Sequence, residues 1–177
     1  MLFRSGWQRE EYEAAGLDFE SRGALLDHTL DVCRTLWRDR RASHRSTALR
    51  FENIHLMPKP LQPGGVPIWV SGRVNAPVVR RLARFGTGWI PWGPDADDLE
   101  RSLPLMKERL DREGGDAAGL QVAGSLAVGA DPHATMARVP ALLRAGVTDF
   151  RVRPPDSADA RALDALVRAF REAEIGR

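Results

Sequence analysis

Apolar residues recur along this chain with two different periods, and together they predict alternating strands and helices from residue 66 onward. Short apolar runs at 66–70, 87–92, 120–129 and 147–153 are typical of buried strands. After each run, apolar residues recur every three or four positions, as they do on one face of a helix. The pattern predicts four β-α units of about 28 residues each, with parallel strands and right-handed crossovers.

The helix predicted from Ala76 to Phe85 has the clearest boundaries. Asn75 is a plausible N-cap, Pro77 suits the first turn, and Gly86 ends the helix. Its apolar face comprises Val78, Val79, Leu82 and Ala83. Its arginines are predicted to face solvent, and these are Arg80, Arg81 and Arg84. In the helix after the third strand, Pro140 predicts a kink or a break.

The N-terminal third has a weaker pattern and is predicted to contain two helices. The first is short and polar, from Gln8 to Ala15, and Asp18 is positioned to cap the second. The second helix has a stripe of mostly apolar residues comprising Leu26, Thr29, Leu30, Cys33, Leu36 and Trp37. Residues 38–48 show no period and predict a loop, and the proline-rich segment 49–65 predicts an extended surface connection. No strand is predicted ahead of the first β-α unit.

Composition limits the class of protein. The 177 residues are 43% hydrophobic and 28% charged with a net charge of +2, which fits one globular domain. The basic run Trp37 to Arg45 favours a solvated loop over a phosphate-binding arm, because no nucleic-acid module accompanies it. The single Cys33 excludes a disulfide framework and predicts a reduced core thiol. There is no long apolar run and no signal-peptide core, so we expect a cytoplasmic protein without membrane or nucleic-acid partners.

The turn between the first predicted strand and its helix is a candidate anion site. It follows the carboxyl end of a strand and opens a helix, where backbone N–H groups are unpaired. Ser71 adds a hydroxyl, Arg73 a guanidinium and Asn75 an amide. The alternative is a capped loop with a solvent-facing arginine. The later segment Gly86 to Trp89 contains a G-x-G, but it precedes a strand and is therefore not a dinucleotide fingerprint.

Acid-base and metal-binding candidates are weak. The four histidines have no carboxylate or cysteine at ligand spacing, and these are His28, His44, His55 and His133. Asp95, Asp97 and Asp98 are interpreted as a cluster at a helix start, favoured by the helix dipole. The sequence therefore predicts no metal site and assigns no catalytic residue.

The order and spacing of many short matches resemble the luciferase-like class of flavin- and deazaflavin-dependent oxidoreductases, over about residues 5–177. The matching residues are Gly6, Trp7, Glu10, Glu11, Tyr12, Gly16, Arg22, Leu26, Leu30, Leu36, Trp37, Phe51, Pro58, Lys59, Pro60, Gln62, Pro67, Ile68, Trp69, Val70, Gly72, Arg81, Ala83, Gly86, Gly88 and Trp89. Two positions depart from the family pattern: Thr87 stands where Asp is common, and Ser71 or Arg73 where a second Gly is common.

The resemblance implies the C-terminal half of a TIM-type (β/α)8 barrel, in one truncated domain over residues 1–177. Residues 1–57 would supply the N-terminal helices and connection, and residues 58–177 the four β-α units. A half-barrel is expected to expose two strand edges and a concave apolar face, which favours a homo-oligomer or a partner chain that completes the barrel. The periodicity itself leaves open a small flavodoxin-like α/β sheet.

The resemblance also implies a cofactor, FMN or F420. Its phosphate would be held by Ser71, Gly72, Arg73, Val74 and Asn75, and Gly86, Gly88 and Trp89 would lie beside it. The implied reaction is hydride transfer or O2 activation on a small organic substrate. Residues that face the reactive ring come from earlier strands in this family, so none is assigned here. The alternative is a non-catalytic half-barrel that binds a phosphate-bearing ligand or assembles with a partner chain.

Overall fold

The computed structural model of the chain describes residues 2–3, 6–129, 131–154 and 159–173. The strands in these residues are β1 (Leu2–Phe3), β2 (Ala42–Arg45), β3 (Arg50–Ile54), β4 (Trp69–Gly72), β5 (Gly88–Pro91), β6 (Gln121–Ala127) and β7 (Asp149–Arg153). The helices are α1 (Arg9–Ala14), α2 (Arg22–Arg38), α3 (Ala76–Phe85), α4 (Pro94–Asp97), α5 (Leu99–Arg112), α6 (Pro132–Met136), α7 (Val139–Ala145) and α8 (Ala160–Glu172).

Five parallel strands form one sheet in the order β1-β4-β5-β6-β7. From β4 onward each strand pairs with the next one in the chain, and a helix connects every pair. A doubly wound sheet would reverse its strand order at a switch point, and the sheet of the described residues does not. The prediction of an α/β fold with parallel β-α units is therefore confirmed, and its strand order is that of a barrel segment.

Strand β1 corrects the expectation that no strand precedes the four units. Leu2 pairs with Trp69 and Phe3 with Val70, so β1 extends the sheet beyond β4. A strand of two residues is too short to show a period of two. It forms because β4 has a pairing edge available, which is information that lies outside the local sequence.

A hairpin corrects the prediction of a loop over residues 38–48. Strands β2 and β3 pair antiparallel, with an irregularity between Ala42 and His44. Ala42 is fully buried, and β2 packs against α2. Most other residues of the hairpin are exposed or half-buried, so the sequence lacks the apolar alternation of a strand. The basic run of the N-terminal third is thus partly a strand.

The main core lies between the sheet and its helices. Its strand side chains include Val70, Trp89, Val122 and Leu126, and the apolar face of α5 covers them with Leu99, Leu103, Met106 and Leu110. Helix α3 has the predicted bounds, and the Asn75 side chain caps it by accepting from Val78 N–H at 3.0 Å. The break predicted at Pro140 is confirmed, since α6 ends at Met136 and α7 begins at Val139.

Three predictions about side-chain direction are wrong. Arg81 is only 8% exposed, because it pairs with Asp27 of α2 instead of facing solvent. The apolar residues Leu163, Leu166, Val167 and Phe170 predict one shared inward face for α8, but Leu163 and Val167 are exposed. The buried positions of α8 are Leu166 and Ala169. The sheet face opposite the helices is not apolar along β6 and β7, where it has exposed polar and charged side chains. These are Gln121, Ser125, Asp149, Arg151 and Arg153.

Candidate functional site

A cleft with a volume of about 550 Å³ lies at the carboxyl end of β4. The loop between β4 and α3 forms its floor with Ser71, Gly72 and Arg73. The N-terminal segment and the start of α2 form one wall, and Trp92 after β5 forms part of another. The carboxyl edge of a parallel sheet is the usual place for a ligand in α/β proteins.

Four of the residues predicted to hold a phosphate line this cleft, and they are Ser71, Gly72, Arg73 and Asn75. Two of the predicted groups, one donor and one acceptor, are used inside the protein instead. Val74 N–H donates to Oδ2 of Asp95 at 2.7 Å. The amide oxygen of Asn75 accepts the Val78 N–H as the helix cap. The polar side chains that line the cleft from this loop are those of Ser71, Arg73 and Asn75, and the cap engages only the amide oxygen of Asn75.

The loop approaches α3 closely because residue 72 is glycine. A Cβ atom at this position would lie 2.6 Å from Cγ2 of Val78, well inside van der Waals contact. Val78 is buried in the core and belongs to the first turns of α3. Gly72 therefore allows the start of the helix to pack directly against the strand end, beside the cleft.

The structure does not bring Gly86, Gly88 or Trp89 to the cleft. Gly86 ends α3 and precedes β5, so it lies at the opposite end of the sheet. Gly88 faces the ring of Trp69, and a Cβ there would be 2.5 Å from it. Trp89 is fully buried, and its side chain does not line the cleft. Its Nε1–H donates to the Gly72 carbonyl at 2.9 Å and so supports the cleft from behind.

Two arginines supply positive charge to the cleft. Arg73 has a side chain that is 58% exposed. The guanidinium of Arg22 stacks 3.9 Å from the ring centre of Phe19 and donates to the Phe19 carbonyl at 2.8 Å, which fixes its direction. A third cleft arginine, Arg81, is paired with Asp27 and contributes little net charge. Glu20 also lines the cleft, and its Oε2 lies 3.9 Å from Nη1 of Arg22, so it offsets part of that charge.

Asp95 is the main site residue that sequence reasoning missed. It was interpreted as part of a helix start, and it does lie in α4. However, its side chain is buried against the β4–α3 loop, with Oδ2 bonded to Val74 N–H and 3.9 Å from Nε of Arg73. A carboxylate just after the neighbouring strand was the available signal, because adjacent parallel strands end at the same edge. Asp95 anchors the loop and offsets part of the Arg73 charge.

Two exposed indoles border the same cleft. Trp7 is 69% exposed and Trp92 is 62% exposed, and they come from the N-terminal segment and from the end of β5. Large aromatic side chains on a surface provide flat apolar area for a planar ligand. The cleft therefore combines a cationic floor with aromatic borders, and these features fit a molecule that has both a ring and a phosphate.

Two other classes of feature are absent from the residues that the structure describes. No three or more His, Cys, Asp or Glu side chains come together there as a metal cluster would need. No helix in this part of the chain is long and apolar enough to cross a membrane.

Known proteins resemble this chain in sequence over part of their own length. An uncharacterised protein of Mycobacterium tuberculosis is 31% identical over 113 residues, which are 64% of this chain and 38% of that protein. An F420-dependent glucose-6-phosphate dehydrogenase of Segniliparus rotundus is 29% identical over 131 residues, covering 71% of this chain and 38% of that enzyme. This chain thus spans well under half the length of the curated relatives it matches.

The fold is similar to that of the F420-dependent tetrahydromethanopterin reductase of Methanopyrus kandleri. The TM-score is 0.63 at 10% identity, with 92% of this chain and 70% of that one covered. The family model described as luciferase-like monooxygenase matches residues 3–174. The chain therefore belongs to the luciferase-like monooxygenase family.

Proposed function

We propose that this chain provides the cofactor-phosphate site of an oxidoreductase that uses reduced FMN or F420 on a small organic substrate. The observation that supports this most directly is the cleft at the end of β4, where Ser71, Arg73 and Arg22 converge. An F420-dependent dehydrogenase among its relatives supports the cofactor class. Such a cofactor supplies the hydride or the activation of O2 when it is bound.

The protein's own contribution would be binding and orientation. Ser71 can donate its hydroxyl hydrogen to a phosphate oxygen, and the two guanidinium groups can neutralise its charge. Trp7 and Trp92 would cover the apolar part of the ligand from both borders of the cleft and exclude water from it. The Asp95 carboxylate would keep the loop in place through the Val74 N–H.

We propose further that the chain acts together with a second copy or a partner chain. Among the described residues, β1 and β7 each pair with one neighbouring strand, so each presents an edge. The exposed Arg151 and Arg153 of β7 lie on the sheet face opposite the helices, where a complete barrel would enclose them. Sedimentation of the purified chain, alone and with cofactor, measures this directly. A monomer at all concentrations with full cofactor affinity would contradict it.

The cofactor proposal is tested by titrating the folded chain with FMN and with F420, followed by absorbance or fluorescence. Ser71→Asp places a carboxylate next to the phosphate position, so we expect at least about a tenfold loss of affinity by like-charge repulsion. Ser71→Asn is the matched control, because it has nearly the same shape without the charge. We expect it to stay within about threefold of the natural chain.

Two outcomes count against the proposal. One is the absence of binding at high micromolar cofactor by a sample with a native circular dichroism spectrum. The other is equal affinity of the Asp and Asn variants, which would place the phosphate elsewhere. Competition by inorganic phosphate separates the binding of the phosphate from that of the ring.

A further inference from the structure

Two histidines from distant parts of the chain meet where the β2–β3 hairpin packs against α2. His28 lies on α2 and His44 on β2, and their Nε2 atoms are 3.2 Å apart. The ring centres are 5.2 Å apart with an interplanar angle of 61°. Both side chains are half-buried. The sequence did not indicate this pair, because sixteen residues and a change of element separate the two positions.

The position of each ring is set by its surroundings. His44 stacks on Phe51 of β3, with ring centres 5.8 Å apart and planes at 26°. Nε2 of His28 is also 2.9 Å from the Ser46 hydroxyl oxygen. These contacts fix the rotamers of both histidines, so the packing of the hairpin holds the two nitrogens next to each other.

The separation of the nitrogens matches that of two ligands on one metal ion. Imidazole nitrogens bind Zn²⁺ at about 2.0–2.1 Å, and two of them in tetrahedral geometry lie roughly 3.3 Å apart. The observed 3.2 Å is close to that spacing. Without a metal, the two nitrogens can hydrogen-bond only if one of them is protonated and the other is not. A divalent ion would take the place of that proton and bond to both lone pairs.

We propose that His28 and His44 form a binding site for a divalent transition-metal ion of the kind that imidazole prefers, Zn²⁺, Cu²⁺ or Ni²⁺. Water completes the coordination, since the described residues contain no third His, Cys, Asp or Glu at this point. The Ser46 hydroxyl is placed to hydrogen-bond with a metal-bound water. With solvent as the remaining ligands, the site is exchangeable. The ion joins the hairpin to α2, so binding stabilises the folded chain.

The nearby cations do not prevent binding. Arg45 and Arg50 are the basic residues at the two ends of the hairpin turn, and both contact the same carboxylate. Glu52 Oε1 is 3.6 Å from Nη2 of Arg45 and 2.8 Å from Nη2 of Arg50. Their charge is therefore partly compensated before a metal approaches.

The experiment uses untagged full-length chain, because a histidine tag would bind the same ions. Zn²⁺ and Ni²⁺ are titrated calorimetrically, and Cu²⁺ is followed by electron paramagnetic resonance, in which coupled nitrogens report imidazole ligands. We expect one ion per chain and a signal from two nitrogens. His28→Gln and His44→Gln should each lower the affinity by at least about tenfold, because loss of an outer-shell partner alone costs that much at metal sites.

His55→Gln and His133→Gln are the matched controls. His55 is exposed in the proline-rich connection, and His133 has a neighbouring carboxylate, with Nδ1 3.8 Å from Glu172 Oε2. Both should bind the ions as the natural chain does. The proposal is overturned if the double variant of His28 and His44 binds as tightly as the natural chain, or if a control variant alone loses the binding. Circular dichroism without metal confirms that each variant is folded.

Discussion

Arg81 of α3 contacts Asp27 of α2 through two hydrogen bonds, from Nε to Oδ1 at 2.5 Å and from Nη2 to Oδ2 at 3.1 Å. Nη2 also lies 3.3 Å from the Gly23 carbonyl oxygen. The arginine side chain is 8% exposed and the aspartate side chain is 39% exposed. This pair of hydrogen bonds joins α2 to α3, the helix of the first β-α unit, beside the cleft.

Arg81→Ala is therefore expected to destabilise the fold by about 2 kcal/mol. Removing one partner of a fully buried pair costs about 3–5 kcal/mol, and the exposure of Asp27 reduces that value. Urea unfolding followed by circular dichroism measures the change in the free energy of unfolding.

The chain provides its own control one turn further along the same two helices. Arg84 pairs with Asp31, but its side chain is 59% exposed. Arg84→Ala should cost less than about 1 kcal/mol, as for other surface pairs. If both alanine variants lost the same free energy of unfolding, burial of Arg81 would not be the reason for the larger contribution expected of its ion pair.

Gly72→Ala is expected to destabilise the chain by about 1–3 kcal/mol, because the new methyl group would overlap Val78. Combining it with Val78→Ala should recover part of the loss, which a double-mutant cycle detects. Gly23→Ala serves as the control, since that glycine lies in α2 and a Cβ there would be 3.8 Å from its nearest neighbour. It should gain up to about 1 kcal/mol in helix propensity. Additive losses in the cycle would contradict the clash.

The parts of this fold that were predictable are those whose signals are local and agree with one another. Helix α3 has apolar periodicity, an N-cap at Asn75, Pro77 in its first turn and Gly86 after its end, and the structure has the predicted bounds. These signals reinforce each other because all of them concern one turn of backbone and its immediate neighbours.

What could not be predicted depends on contacts between distant segments. Arg81 was assigned to solvent because its partner Asp27 lies 54 residues earlier. Asp95 was assigned only to a helix start. Its hydrogen bond with Val74 N–H was missed because it joins the ends of two neighbouring strands. In both cases the residue type allows either role, and only the three-dimensional arrangement decides. The same reason explains why the His28–His44 contact and the β2–β3 hairpin were missed.

Cys33 is expected to react slowly with thiol reagents in the folded chain. It is a free, half-buried cysteine on α2, and burial raises the pKa of its thiol above the usual value. Less thiolate is then present at pH 8 than in an unfolded chain, and the thiolate is the reactive form. Reaction with an aromatic disulfide should be at least about tenfold slower than in denaturant and should accelerate steadily between pH 7 and 9. Equal rates in the folded and unfolded chain would show that the thiol is accessible.

Asp95→Asn should strengthen binding of a phosphate-bearing ligand at the cleft. The amide oxygen can still accept the Val74 N–H, so the loop keeps its anchor, while the negative charge 3.9 Å from Nε of Arg73 is removed. Arg73 then attracts an anion without competition, and we expect a gain of about two- to tenfold in affinity at low salt.

Titration with inorganic phosphate and with the preferred cofactor measures the gain in affinity that Asp95→Asn produces. Repeating it at a second salt concentration shows how far salt screens that gain. Asp98→Asn is the control, because Asp98 caps α5 and pairs with Arg101 instead of contacting the cleft loop. It should leave the affinity unchanged. If Asp95→Asn weakened binding as much as Ser71→Asp does, the carboxylate would have to act on the ligand in a way other than offsetting Arg73.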